Sequence, residues 1–179
     1  MTEDLPRFTL VQRLLHWLMA IGILAMLFIG VGMVSTVTET HLTLVSIHKP
    51  LGVALFALVL IRLFVRLKCG APALPAALPE PMKFAAHLSH YALYALMIAM
   101  PLLGWGMLSA AGYPVTLWPG ATLPQILPES RELHTMLWNA HSALSFAFFA
   151  LVLLHVAAAL FHALVRRDGV FQQMAGGAR

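Results

Sequence analysis

The chain has 179 residues, of which 60% are hydrophobic and only 10% are charged. This composition excludes an ordinary soluble globular protein, whose residues include about 25% charged ones. The formal net charge of +4 is explained by an unequal division of cations between two membrane faces, so no nucleic-acid partner is expected. The single cysteine excludes an internal disulfide, and the sequence has no C-x-x-C-H motif for covalent haem attachment.

Four apolar segments, each long enough to cross a lipid bilayer, follow one another along the chain. They cover about residues 8–37, 42–67, 84–111 and 133–165. The first is too long for a cleaved signal peptide, and we interpret it as a retained helix. The Pro/Ala-rich stretch "CGAPALPAALPEP" is a linker between the second and third segments. The sequence therefore predicts an all-α fold, an integral membrane four-helix bundle in one domain over residues 1–179.

The lysines and arginines indicate how this bundle sits in the membrane. Four spans place both termini on one side, and that side carries nine of the eleven cations, against two on the other. The positive-inside rule then predicts cytoplasmic termini. The nine are Arg7, Arg13, Arg62, Arg66, Lys68, Lys83, Arg166, Arg167 and Arg179, and the two are Lys49 and Arg131.

Topology sorts the nine histidines by depth. Near the outer face lie His41, His48, His134 and His141, and near the cytoplasmic face lie His16, His87, His90, His155 and His162. The four histidines of the last segment are spaced by 7, 14 and 7 residues, so they share one helix face. His141 and His155 are separated by about 21 Å along the axis, in opposite leaflets. Intramembrane polar side chains are costly and usually functional, so two histidine layers indicate two sites.

The side chains available as ligands within the spans limit which metal or cofactor the two histidine layers can bind. None of the seven acidic residues lies in the middle of a span, which argues against a di-iron carboxylate site. Imidazole-only ligation between facing helices suits haem iron with two axial histidines, a group that carries electrons. For the outer layer we expect His141 with His48. For the inner layer we expect His155 with His16, or with one of His87 and His90, because spacing alone does not choose.

Four stretches resemble the prokaryotic cytochrome b561 family. They are "RLLHWLMA", "IHKPLGVALFALVLIRLFVRL", "AAHLSHYALYALMIAMPLLGWGM" and "HSALSFAFFALVLLHVAAALFH". The resemblance implies two non-covalently bound b haems in the bacterial inner membrane. It also implies the ligands, which are His16 with His155 for the inner haem and His48 with His141 for the outer one. His162 could contact a quinone carbonyl or a propionate. Arg13 and Lys49, next to proposed ligands, could pair with propionates or extend to lipid headgroups.

The same resemblance implies a function. Members of the family pass single electrons through the membrane and use the quinone pool, and one type of member oxidises superoxide and reduces ubiquinone. Here superoxide, or another small periplasmic donor, would therefore reduce ubiquinone. The alternative is a cytochrome b anchor that serves a separate dehydrogenase or a periplasmic redox protein. A haem-free, histidine-lined transporter is the third hypothesis, and the lack of charged residues marking an ion path in the spans argues against it.

Overall fold

The structure is a computed structural model that describes residues 7–176, and it contains four helices long and apolar enough to cross a membrane. The prediction of a four-helix membrane bundle is confirmed. The elements are α1 (Leu10–Ser35), α2 (Glu39–Cys69), α3 (Glu80–Ala110), β1 (Val115–Trp118), β2 (Ala121–Leu123), α4 (Arg131–Leu160), a π-helix (Phe161–Arg166) and α5 (Val170–Ala175).

Local sequence signals begin and end the long helices. Thr9 and Gln12 form a capping box, with the Thr9 hydroxyl accepting from the Gln12 backbone N–H at 3.3 Å and the Gln12 amide oxygen accepting from the Thr9 N–H at 3.0 Å. At the start of α4, the Ser130 hydroxyl accepts a hydrogen bond from the Leu133 N–H at 3.2 Å, without a reciprocal bond. Gly70 ends α2 at a φ of 70°, a conformation that glycine adopts without strain. Four spans were predicted and four are present. Their predicted bounds lie within four residues of the helix ends, except that the fourth predicted span continues beyond Leu160 into the π-helix.

The predicted outer loop of residues 112–130 contains more structure than expected. Its strands β1 and β2 pair antiparallel, with Val115 opposite Leu123. The loop is held to the bundle by the Ser130 N–H, which donates to the Ala110 carbonyl at 2.9 Å. The hairpin packs on α2 and marks one end of the bundle, called here the hairpin end.

The opposite end, called the terminal end, gathers the beginning of α1, the short helix α5 and the α2–α3 linker. Gln12 is buried and its amide donates to the Gly70 carbonyl at 2.8 Å, while Gln173, also buried, donates to the Ala73 carbonyl at 3.3 Å. These two bonds tie α1 and α5 to the same linker. The segment that follows the last span is thus folded back against the mouth of the bundle.

The helices pack as two tight pairs, α1 with α2 and α3 with α4, joined through α2 and α3. The backbones of α1 and α2 approach α4 less closely, so side chains must bridge that space. Large apolar side chains such as Ile21, Phe28 and Phe146, each at least two-thirds exposed, face outward, where a bilayer replaces a protein core as the apolar environment. The wider space along α4 is where the site lies.

Candidate functional site

The hairpin-end pair is formed by His48 on α2 and His141 on α4. Their ring centres are 6.3 Å apart and the ring planes are inclined by 67°. The Nδ1 atoms of both rings are buried and have no hydrogen-bond partner in the described residues. Leaving a polar atom unpaired in an apolar interior lowers the free energy of unfolding. The structure thus brings these two rings close together.

At the terminal end, three rings converge instead of two. The ring centres of His16 on α1 and His155 on α4 are 6.4 Å apart, inclined by 72°. The ring of His90 on α3 lies 5.4 Å from the ring of His155. His87 and His90 are both exposed on this helix. The geometry therefore brings both His16 and His90 close to the ring of His155.

The separation of each pair can be compared with that of two imidazoles bound to one metal ion. A metal–nitrogen bond of about 2.0–2.1 Å on each side, plus roughly 1.1 Å from nitrogen to ring centre, puts the centres about 6.3 Å apart. The observed 6.3 Å and 6.4 Å agree with this value, whereas the 5.4 Å between His90 and His155 is shorter. Two imidazoles at this separation are a donor set that fits haem iron, and among residues 7–176 no group of three His, Cys, Asp or Glu side chains has the geometry to hold a metal ion.

A layer of apolar side chains separates the two pairs. Phe148 lies seven residues from both His141 and His155, on the same stripe of α4, and is buried. Around it pack Met19 from α1, Val59 from α2, and Leu93 and Met97 from α3. This cluster is the core of the protein, and it contains no ionisable side chain. An apolar layer therefore lies between the two histidine pairs.

The other two histidines at the hairpin end have structural hydrogen bonds. His41 Nδ1 lies 2.9 Å from the Met33 carbonyl near the end of α1, and His134 Nδ1 lies 2.8 Å from the Met107 carbonyl near the end of α3. Each ring donates to a carbonyl in the last turn of a neighbouring helix. They are thus separate from the hairpin-end pair.

The cations expected to meet propionates have their donors directed at carbonyl groups. Arg13 donates to the carbonyls of Met174 and Ala175, both at 3.2 Å. Lys49 donates to the Pro114 carbonyl at 3.3 Å. Arg13 thus holds α5 to α1, and Lys49 holds the hairpin to α2.

Sequence reasoning overlooked Arg62, which lies half-buried on α2. Its Nη2 atom is 2.9 Å from Nδ1 of His16, so it contacts one of the proposed ligands. The sequence spacing nevertheless indicated that Arg62 lies close to the terminal-end pair. Arg62 follows His48 by 14 residues, the same spacing that separates His141 from His155, and this spacing places the guanidinium at the depth of the terminal-end pair.

His162 lies beyond the terminal-end pair, in the π-helix, a rare geometry often found at functional sites. Its Nδ1 atom is 2.7 Å from Oδ2 of Asp168, and the same oxygen accepts from Nε of Arg166 at 3.0 Å. Partial burial alone would raise the pKa of the Asp168 carboxyl. The hydrogen bonds from His162, Arg166 and the Val170 N–H outweigh burial and lower that pKa. Asp168 is therefore an ionised acceptor that fixes the hydrogen of His162 on Nδ1.

Comparison with known proteins finds one matching family and several relatives. The family described as prokaryotic cytochrome b561 matches residues 7–177. "Cytochrome b561 homolog 1" of Escherichia coli (strain K12) is 26% identical over 94% of this chain and 96% of its own length. "Cytochrome b561 homolog 2" of the same organism is 27% identical over 98% and 94%. "Probable superoxide oxidase CybB" of Yersinia pestis is 29% identical over 72% of each chain.

Proposed function

Because the chain belongs to the prokaryotic cytochrome b561 family and is a transmembrane b-type cytochrome, we propose that it holds two b haems. One lies between His48 and His141 and the other between His16 and His155. The observation that supports this most directly is the pair of ring separations, 6.3 and 6.4 Å. His90 is then a neighbour of the second site and not a ligand.

A haem held by each histidine pair would supply one-electron transfer. The chain's own residues supply position and insulation. The four histidines hold two sites at different depths, and the apolar layer around Phe148 keeps water and ions out of the space between them. We propose that electrons cross the membrane between the two sites while protons and ions do not.

We place the hairpin end in the periplasm and the termini in the cytoplasm, on the distribution of lysine and arginine. The electron donor is then small and periplasmic, and superoxide is our first candidate, because a relative is named as a probable superoxide oxidase. Lys49 and Arg131 are the fixed cations at this end. They provide modest electrostatic attraction for an anion.

For the acceptor we propose ubiquinone at the terminal end, next to His162. A quinone carbonyl only accepts hydrogen bonds, so it would pair with the imidazolium form of His162, in which Nδ1–H donates to Asp168 and Nε2–H donates to the quinone. The side chains of His162 and Asp168 are only 13% and 16% exposed. A partly shielded imidazole–carboxylate pair is suited to move a proton to a reduced quinone.

Haem content of ligand variants tests the assignment. A pyridine haemochrome assay on the purified protein should find two haems per chain. Changing His48 or His141 to Ala should remove one, and changing His16 or His155 to Ala should remove the other. His90→Ala, the matched control beside His155, should keep both. Loss of haem from His90→Ala with retention in His16→Ala would overturn the terminal-end assignment.

Electron input is tested separately by stopped-flow reduction with superoxide. The purified protein should be reduced faster than superoxide dismutates spontaneously, and added ubiquinone should reoxidise it. If the protein binds both haems, shows no reduction above that background and co-purifies with a dehydrogenase or periplasmic redox protein, it is the anchor subunit and not a free-standing oxidase.

A further inference from the structure

Arg62 is an intramembrane cation whose surroundings in the described structure do not neutralise it. Its guanidinium lies 5.5 Å from the centre of the Tyr94 ring and donates to Nδ1 of His16. No carboxylate of residues 7–176 lies within ion-pair distance. An unpaired charge at this depth is costly, which indicates that an anion is its missing partner.

The bond to His16 is incompatible with metal ligation by the same neutral ring through Nε2. A guanidinium has donors only, so Nδ1 of His16 accepts and the ring hydrogen lies on Nε2. A neutral imidazole that binds iron through Nε2 carries its hydrogen on Nδ1. Haem ligation by His16 therefore releases Arg62 from the ring, and the released guanidinium needs another acceptor.

A small cavity of about water size lies beside Arg62. Its lining residues are Phe8, Gln12, Arg62, Arg66, Tyr94 and Met174. Arg66 lies one turn beyond Arg62, with its guanidinium 5.6 Å from the centre of the Phe8 ring. The Tyr94 hydroxyl is buried and has no hydrogen-bond partner in the described residues. Two guanidinium groups and an unpaired hydroxyl together present donors to an oxygen anion.

We propose that Arg62, Arg66 and Tyr94 form a carboxylate-binding site, and that it receives a propionate of the haem held by His16 and His155. The inference rests on the proposed second haem. A planar, bidentate guanidinium matches a carboxylate. This assignment explains why a cation lies on the same face of α2 as His48, 14 residues further along and at the depth of the other pair.

The site has an electrical consequence. Positive charge near a haem in a low-dielectric environment favours the reduced state, because reduction lowers the charge of the iron. Arg62→Gln and Arg66→Gln are expected to lower the midpoint potential of one haem and leave the other unchanged. Arg167→Gln is the matched control, since Arg167 is exposed at the same end and its Nε donates to the Leu164 carbonyl.

Charge alone would also move a potential, so the contact needs its own measurement. Redox infrared difference spectra would be recorded on the holoprotein with haem carrying ¹³C at the propionate carboxyls. Arg62→Gln and Tyr94→Phe should each shift a label-sensitive carboxylate band, and Arg167→Gln should not. Tyr94→Phe keeps the ring and the charges, so it remains informative where Arg62→Gln does not fold.

Three results would overturn the inference or its premise. Labelled bands unaffected by Arg62→Gln, Arg66→Gln and Tyr94→Phe would show that no propionate is bound there. A wild-type potential that varies with chloride or phosphate at constant ionic strength would show that a free anion occupies the cavity. A parent protein with a single haem per chain, retained in His16→Ala, would refute the second haem itself, which is a failure of the proposed function.

Discussion

His162 Nδ1 lies 2.7 Å from Asp168 Oδ2, and this bond joins the last turn of the fourth span to the segment that folds back across the terminal end. Arg166 donates to the same oxygen. The carboxylate is thus shared by a ring and a guanidinium, and it sets which nitrogen of His162 is free. Two predictions rest on this arrangement.

The first concerns ubiquinone. In Asp168→Asn the amide no longer requires a hydrogen on Nδ1 of His162, so the ring loses its fixed tautomer. We expect the rate of haem oxidation by ubiquinone to fall by about tenfold or more, with the haem content unchanged. Glu80→Gln is the matched control, because Glu80 is an exposed acid at the same end that pairs with Lys83. Equal rates in the two variants would exclude a role for Asp168.

The second concerns stability against pH. The pKa of Asp168 is lowered in the folded protein, since hydrogen bonds from His162 and Arg166 outweigh the effect of burial. A lowered carboxyl pKa contributes stability that is present above the unfolded value of about 3.9 and is lost as the pH falls through the folded value. The difference in melting temperature between the parent and Asp168→Asn should stay constant from pH 7 to about pH 5 and shrink below about pH 4. A difference that vanishes already near pH 6 would mean that another group titrates.

The third prediction concerns the support of His141. A Cβ atom added at Gly104 on α3 would lie 3.4 Å from Cε1 of His141, so alanine is in ordinary contact and a larger side chain must displace the ring. Gly104→Ala should keep both haems, and Gly104→Leu should lose the one proposed for the hairpin end. Gly30→Leu is the control, since a Cβ added there meets no atom within 4 Å. The haem content of the three variants, measured from the absorption spectrum of the reduced protein, tests this prediction.

The fourth concerns the apolar layer. Phe148 is buried at 8% exposure, whereas Phe146 is 72% exposed on the same helix. Phe148→Ala should cost about 3–5 kcal/mol of unfolding free energy through the cavity it leaves, and Phe146→Ala should cost far less. Denaturant unfolding in detergent micelles compares the two. Similar losses would show that the layer around Phe148 is not the packed core.

The fifth separates structural histidines from ligands. His41 and His134 hydrogen-bond to the carbonyls of Met33 and Met107. Replacing either with Ala should leave haem stoichiometry and both midpoint potentials unchanged, and should destabilise the protein by about 1 kcal/mol. A missing haem in His134→Ala would contradict the pairing of His48 with His141.

Several features followed from the sequence alone, because they depend on local chain geometry. The lengths of the apolar segments indicated four spans, and the rise per residue placed His141 and His155 at different depths. The lack of acids within the spans directed the choice of site towards imidazole ligands. The pairing of His48 with His141 was also expected, since only one suitable ring was available on the second segment at that depth.

Other features depended on how the helices are rotated and packed against one another, which helical periodicity does not specify. Depth favoured His16 over His87 and His90 as the neighbour of His155 without excluding them, and packing brought both His16 and His90 to it. Arg13 is directed to the carbonyls of α5, and Arg62 is directed to His16. Such contacts join residues far apart in the chain, and they are set by the interlocking of side chains between helices, so only the tertiary structure determines them.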